Sequence, residues 1–369
     1  MKKVLTAAAA LAVGATGAYA GGIERTNQSV GVLFEEGNYA EFSFASVSPD
    51  VSGIDTASVG PGSPGDSSGN MAENYTKFGA AVKMQINDQF SAALIFDQPY
   101  GANVDYGDAD ATYFANGASA TLESSAITAL LKYTLPSNAS VYGGLRYQTL
   151  SAVASVPFVG SYSVDGEKDA GVGYVIGAAY EKPEIALRVA LTYNSSIKHE
   201  LATAESSALP VDQTSTTEIN TPQSVNLEVQ SGIAANTLLF GSVRWVEWSA
   251  FDISPPDYFT LTGDSLVSYV DDRFTYTLGL GRKFSDTWSG AVTVTYEETL
   301  GSQSSNLGPT DGILSLGLGG AYTRDNMKIS GGISYSWIGD TFTGPEATPF
   351  ANFEDNTAFG VGIKVGFTY

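Results

Sequence analysis

Thr357-Ala-Phe-Gly-Val-Gly-Ile-Lys-Val-Gly-Phe-Thr-Tyr369 closes the chain and decides how the rest of it is read. Phe359, Val361, Ile363, Val365, Phe367 and Tyr369 take every second position, with Gly360, Gly362, Lys364, Gly366 and Thr368 between them. A strand sends alternate side chains to opposite faces, so this one has a wholly apolar face and a small or polar one. In a soluble sandwich the apolar face would be core. In an outer-membrane barrel it would meet lipid, and the polar face would line the lumen.

Period-two segments bounded by turn residues recur along the chain. They are 39–48, 75–86, 89–97, 119–134, 139–154, 169–182, 184–199, 217–232, 236–250, 271–284, 286–300, 312–324, 327–338 and 357–369, fourteen in all. Tight-turn sequences such as Asn87-Asp88, Pro136-Ser137-Asn138, Ser285-Asp286 and Asp325-Asn326 join some of them. Long connections, 49–74, 98–118, 155–168, 200–216, 251–270, 301–311 and 339–356, join the others, and short alternates with long throughout. Outer-membrane barrels have an even strand count, short periplasmic turns and long extracellular loops. A sandwich has no reason to gather its long loops at one end. The expected fold is all-β: a transmembrane antiparallel β-barrel of about fourteen strands over residues 39–369, in the outer membrane of a Gram-negative bacterium.

The start of the chain agrees with export. Met1-Lys2-Lys3, an apolar run from Val4 to Thr16 and Ala18-Tyr19-Ala20 form a signal peptide over residues 1–20, too short to span as an anchor helix. There is no cysteine, which excludes disulfides and thiolate metal sites. The lone His199 sits in the polar stretch Ile197-Lys198-His199-Glu200 and reads as a solvated loop residue, so no metal or cofactor is expected. The 39 acidic residues outnumber 18 basic ones, which excludes a nucleic-acid partner. Mean hydropathy is near zero, so only strands could cross a membrane.

Alternation places Glu41, Lys83, Asp97, Lys132, Arg146, Glu181, Arg188, Glu228, Arg244, Glu297 and Lys364 inward, with both signs of charge available to pair across the bore. Phe240, Val246 and Trp248 also point inward if Arg244 avoids lipid, as do Ile95, Leu130 and Val175. Large apolar groups in a lumen suit a conduit for greasy molecules, although they also pack small barrels shut. The loops are apolar for surface segments: Phe158, Tyr162, Tyr258 and Phe259 are candidates for a capture groove. Residues 21–38, with Val32, Leu33 and Phe34, read as a small plug folded into the lumen, or else as an extension of the first strand.

Taken together, the fourteen strands behind an N-terminal plug, the stretch Thr221-Pro222-Gln223-Ser224-Val225 leading to Trp245-Val246-Glu247-Trp248-Ser249, and the aromatic closing strand resemble the FadL-type outer-membrane transporters of hydrophobic compounds. The resemblance implies uptake of long-chain fatty acids or aromatic hydrocarbons: capture by loops, a luminal site, plug movement and exit through a gap near the third strand. Here Asp97-Gln98-Pro99-Tyr100-Gly101 closes that strand, so Asp97, Pro99 and Gly101 mark the lateral opening. Arg146, Arg188 and Arg244 are candidates for a ligand carboxylate. The expected partners are the hydrophobic ligand, outer-membrane lipid and lipopolysaccharide, and the barrel-assembly machinery through the C-terminal strand, with the protein a monomer. The alternative function is a hydrophilic general porin. A barrel lipase lacks material, with one histidine and no G-x-S-x-G elbow.

Overall fold

The structure, a computed structural model, describes residues 23–208 and 214–369. The expected signal peptide therefore lies outside the described residues. Among those described, fourteen antiparallel strands close into a barrel. They are β1 (Tyr39–Asp50), β2 (Tyr75–Gln85), β3 (Phe90–Asp97, continued by Gly101–Asp105), β4 (Ser119–Thr134), β5 (Ala139–Val156) and β6 (Tyr162–Lys182). β7 is Leu187–Asn194 continued by Ile197–Ser206, and β8 is Thr214–Thr221 continued by Ser224–Ala234. Then come β9 (Thr237–Val246), β10 (Arg273–Lys283), β11 (Trp288–Glu297), β12 (Ile313–Arg324), β13 (Met327–Ile338) and β14 (Thr357–Thr368). β1 pairs with β14 from Tyr39–Thr368 to Asp50–Thr357 and with β2 on its other edge, so the sheet is closed.

The closing strand has the orientation that membrane insertion requires. Phe359, Val361 and Ile363 are exposed on the outer surface, while Lys364 is buried and forms an ion pair with Glu41 at 2.9 Å. Outward Tyr276, Leu278, Leu280, Val292, Val294, Leu316 and Leu318 continue the belt. Large apolar groups all round an outer surface would aggregate in water and are stable in hydrocarbon.

Two connections read as long loops are strands instead. β6 begins at Tyr162, and β7 and β8 run on to Ser206 and from Thr214, which shortens 155–168 to 157–161 and takes both ends of 200–216 into strands. Alternation persists there with another polarity. Leu201, Thr203 and Glu205 are buried while Lys198, Glu200, Ala202 and Ala204 face out. The outer face stops being apolar because these strands have risen above lipid. His199 belongs to this stretch and is not a solvated loop residue: it is buried, 3.3 Å from the side chain of Gln148. A third difference is at β9, which ends at Val246, and Trp248 lies in the one-turn 3-10 helix Trp248–Ala250 beyond it.

β3 is broken where Pro99 was expected to interrupt it. Below the break Ser91–Phe96 pair with Ala80–Gln85 of β2, but above it Gly101–Asp105 pair with β4 and form no ladder with β2. The upper part of β2 is thus left without its neighbour, and the Phe78 N–H donates to Gln98 Oε1 at 2.8 Å instead. The wall has a gap there.

Candidate functional site

The chain ahead of β1 enters the bore and docks on the break in β3. Arg25 N–H donates to Pro99 O at 2.8 Å and Gly101 N–H donates to Ile23 O at 2.9 Å. Pro99 has no N–H to offer, and the incoming segment uses its carbonyl. Thr26 Oγ1 donates to Asp97 at 3.0 Å, so Asp97, Pro99 and Gly101 meet at one place.

Further along, the segment belongs to no strand and carries the 3-10 turn Gly31–Phe34, so most of its carbonyls have no sheet partner. Buried carbonyls need donors, and inward lysines supply them. Lys77 donates to Arg25 O at 2.9 Å, Lys83 to Gly37 O at 3.1 Å and Lys132 to Leu33 O at 3.4 Å. The three arginines expected to meet a carboxylate are also turned to this segment. Arg244 forms an ion pair with Glu24 and donates to Asn226 Oδ1 at 2.6 Å; Arg146 bonds Gln28 and Thr128; Arg188 lies 4.7 Å over the Phe34 ring. Lys132 stands over the same ring at 4.3 Å.

The six apolar residues expected to form one luminal site are distributed over three places. Leu130 and Val175, with Ile95 beside them, pack against Val32, Leu33 and Phe34. Phe240 pairs with Leu238 apart from the rest. Val246 and Trp248 belong to a large apolar cluster towards the extracellular end, where Trp248 packs edge-on against Tyr100 (6.0 Å) and Tyr269 (5.1 Å).

That cluster encloses a cavity of about 50 Å³. Leu122 of β4, Val164 of β6, Leu201 of β7 and Ile219 of β8 form its walls; Ile253, Leu266 and Leu307 roof it; Ile23 reaches it from the N-terminal segment. No charged or aromatic side chain lines it among the described residues. The sequence reading missed these residues. They occupy inner positions of strands whose outer neighbours, Glu123, Asp165, Glu200 and Glu218, are exposed and charged, and only the continued alternation could have revealed them.

Of the residues expected to form a capture groove, Phe158 packs on Phe114 (5.4 Å) and Tyr162 on Tyr258 (5.0 Å), whereas Phe259 is exposed on the helix Pro256–Thr262. Tyr162 is fully buried, donating to Glu205 at 2.9 Å. They do not form one groove. Above them Gly53–Asp55, Thr341–Thr343 and Ala351–Phe353 make a three-stranded sheet that covers the bore. In it Asp55 is buried, accepting the Phe114 N–H at 3.2 Å. Burial pushes its carboxyl up to about 6 from 3.8, against the pull of that hydrogen bond and with help from Asp66. A raised folded-state value stabilises fully below the unfolded value, and the contribution is lost as pH rises through the folded one. Amide protection in residues 51–74 is therefore expected to fall between pH 4 and pH 7, and Asp55→Asn to flatten that dependence. Hydrogen exchange reads both, and a roof equally protected throughout in the wild type would refute the assignment.

The gap beside β3 opens into a second cavity, of about 490 Å³, bordered by Tyr75, Phe78, Gln98, Tyr100, Glu123 and Lys168 with Arg25 at its floor. A closed fourteen-stranded barrel with a broken third strand, an N-terminal segment docked on the break and an apolar chamber above it is a combination that a family comparison can test. Residues 32–301, most of the chain, match the outer membrane protein transport protein family (OMPP1/FadL/TodX). The chain belongs to that family. It is an outer-membrane transport protein, and its FadL-type membership accounts for the localisation read from the lipid-facing belt.

Solved structures share the fold. A Pseudomonas aeruginosa FadL homologue superposes with a TM-score of 0.71 at 15% identity, covering 91% of both chains. The Ralstonia pickettii toluene transporter TbuX gives 0.61 at 13% identity over 91% of this chain and 90% of that one. The Pseudomonas putida toluene transporter TodX gives 0.60 at 12% over 96% and 98%. No curated protein matched the sequence.

Proposed function

We propose that this FadL-family barrel admits small hydrophobic molecules passively, without an enzymatic step, and holds them in the aliphatic chamber bounded by Leu122, Val164, Leu201, Ile219 and Ile23. That chamber carries the reading. Apolar surface removed from water contributes roughly 25 cal/mol per Å², and its walls offer no charge that would compete. At about 50 Å³ it is too small for a long acyl chain as it stands. Ile23 is the lining residue that belongs to neither wall nor roof, so a larger guest makes room by shifting the N-terminal segment. The same segment docks on Pro99 and Gly101, so that shift would also uncover the gap in the wall. Residues 23–38 then act as the plug, and exit is lateral.

A hydrophilic porin is the less favoured reading, because the N-terminal segment and two apolar clusters fill the bore. The toluene transporters of the same fold support a monoaromatic cargo, and the mainly aliphatic lining, with Thr121, Thr203 and Thr217 its hydroxyls, suits alkyl chains equally. Native mass spectrometry of protein purified in detergent, incubated with toluene or dodecanoic acid, should show one ligand retained per barrel. A barrel that retains neither and passes small ions freely in planar bilayers would end the proposal.

A further inference from the structure

The 490 Å³ cavity over the break in β3 differs in character from the chamber inside. It opens on the outer wall, where the lipid-facing belt ends. Below it Phe78, Ile127, Tyr147 and Val172 are exposed and apolar; level with it Thr76, Ser125, Thr149 and Lys168 are polar, with Ser125 and Thr149 hydrogen-bonded at 2.9 Å. An outward groove at that height faces lipid headgroups rather than acyl chains.

Its floor carries a buried cation. Arg25 is 9% exposed, its guanidinium lies 4.3 Å over the Tyr75 ring and bonds Asn103, and its Nε has no partner among the described residues. A buried guanidinium with an unused donor is costly unless an anion completes it. Glu123 borders the same cavity and offsets part of the charge, but Lys168 adds a second cation, which leaves a surplus of one positive charge in a chain whose net charge is −21.

We propose that this groove binds the phosphate group of an outer-leaflet lipid, Arg25 meeting it from below and Lys168 from the side. Phosphate fits better than carboxylate. Its additional oxygens can take the guanidinium, the ammonium and the one hydroxyl of the Ser125–Thr149 pair left free to donate, and arginine recognises it in a fork that lysine complements as a point charge. A lipid seated there would cover the gap between β2 and β3 from outside. The proposal joins Arg25 of the N-terminal segment to Lys168 of the outer wall and does not depend on what the chamber holds.

The test uses the whole barrel in a neutral detergent with phosphatidic acid, a phosphate monoester lipid, followed by native mass spectrometry. Wild type should retain it in preference to phosphatidylcholine, and Arg25→Gln should lower retention by about tenfold, the scale of one lost charge-assisted hydrogen bond. Lys168→Gln, an exposed wall position outside the N-terminal segment, should weaken it in the same direction with the fold untouched. Equal retention by wild type and both variants would overturn the site. Displacement by inorganic phosphate at equal concentration would show that the lipid part is wrong, and displacement by dodecanoic acid that the groove serves a carboxylate cargo instead. Cargo retention in the inner chamber is unchanged by Lys168→Gln, which separates failure here from failure of the transport reading.

Discussion

Leu122→Asp is expected to lower retention of toluene or dodecanoic acid by a hundredfold or more while leaving the barrel heat-resistant on gels. Leu122 is 5% exposed and faces the chamber. An unpaired carboxylate in an apolar cavity costs several kcal/mol, so it draws in water or a proton, and either outcome removes the apolar surface a guest needs. About 2.7 kcal/mol of lost affinity is a hundredfold. Phe240→Ala serves as the comparison, since that ring packs with Leu238 away from the chamber and should leave retention as it was. Undiminished binding in Leu122→Asp, with the barrel intact, would place the cargo somewhere else.

The second large effect is expected at Arg244. Its guanidinium pairs with Glu24 of the N-terminal segment, with both side chains almost fully buried. Removing one partner of such a pair strands the other charge, at about 3–5 kcal/mol, whereas replacing both by groups of similar shape can be near neutral. Arg244→Met should therefore loosen the segment, raise ion conductance in planar bilayers and expose the Arg25 peptide bond to trypsin. Adding Glu24→Gln should restore much of the wild-type closure. This reversal distinguishes loss of a latch from general damage, and a single variant as tight as wild type would show that the pair contributes nothing to closure. Arg244 lies at the base of a cooperating set: Arg146 and Arg188 hold the same segment further along, so conductance should rise further when their contacts are removed too.

Much of this architecture was legible in the sequence because a lipid-facing strand carries a strong signal. Where Leu314, Leu316 and Leu318 alternate with Ser315, Gly317 and Gly319, both faces are fixed by the solvent each meets. The break at Pro99 was read from the family resemblance together with proline's missing N–H, and the strand count and the inward charges from that alternation. It failed where the outer solvent changes from lipid to water. Above Val172 of β6 and Asn194 of β7 the outer face becomes charged, and a strand there looks like a loop unless the inner positions are followed by themselves. The chamber residues Val164, Leu201 and Ile219 lie in those stretches, which is why they were missing from a candidate site that reached the same cluster only at Val246 and Trp248 and otherwise lay lower, around Phe240 and Leu130. Sequence could not pair residues distant along the chain either. That Arg244 answers Glu24 and Arg146 answers Gln28 depends on where an irregular segment settles inside the bore. The arginines were therefore read as awaiting a ligand when the chain itself supplies their partner.

The raised wall of β4 to β8 has one more consequence. Because its outer side chains are charged, the compartment behind Leu122 and Leu201 stands beyond the hydrocarbon slab, in the hydrated saccharide zone that surrounds such a bacterium. A water-insoluble compound is poorly solvated in that zone. A cargo held there, as proposed, would leave water before it ever reached the bilayer's depth.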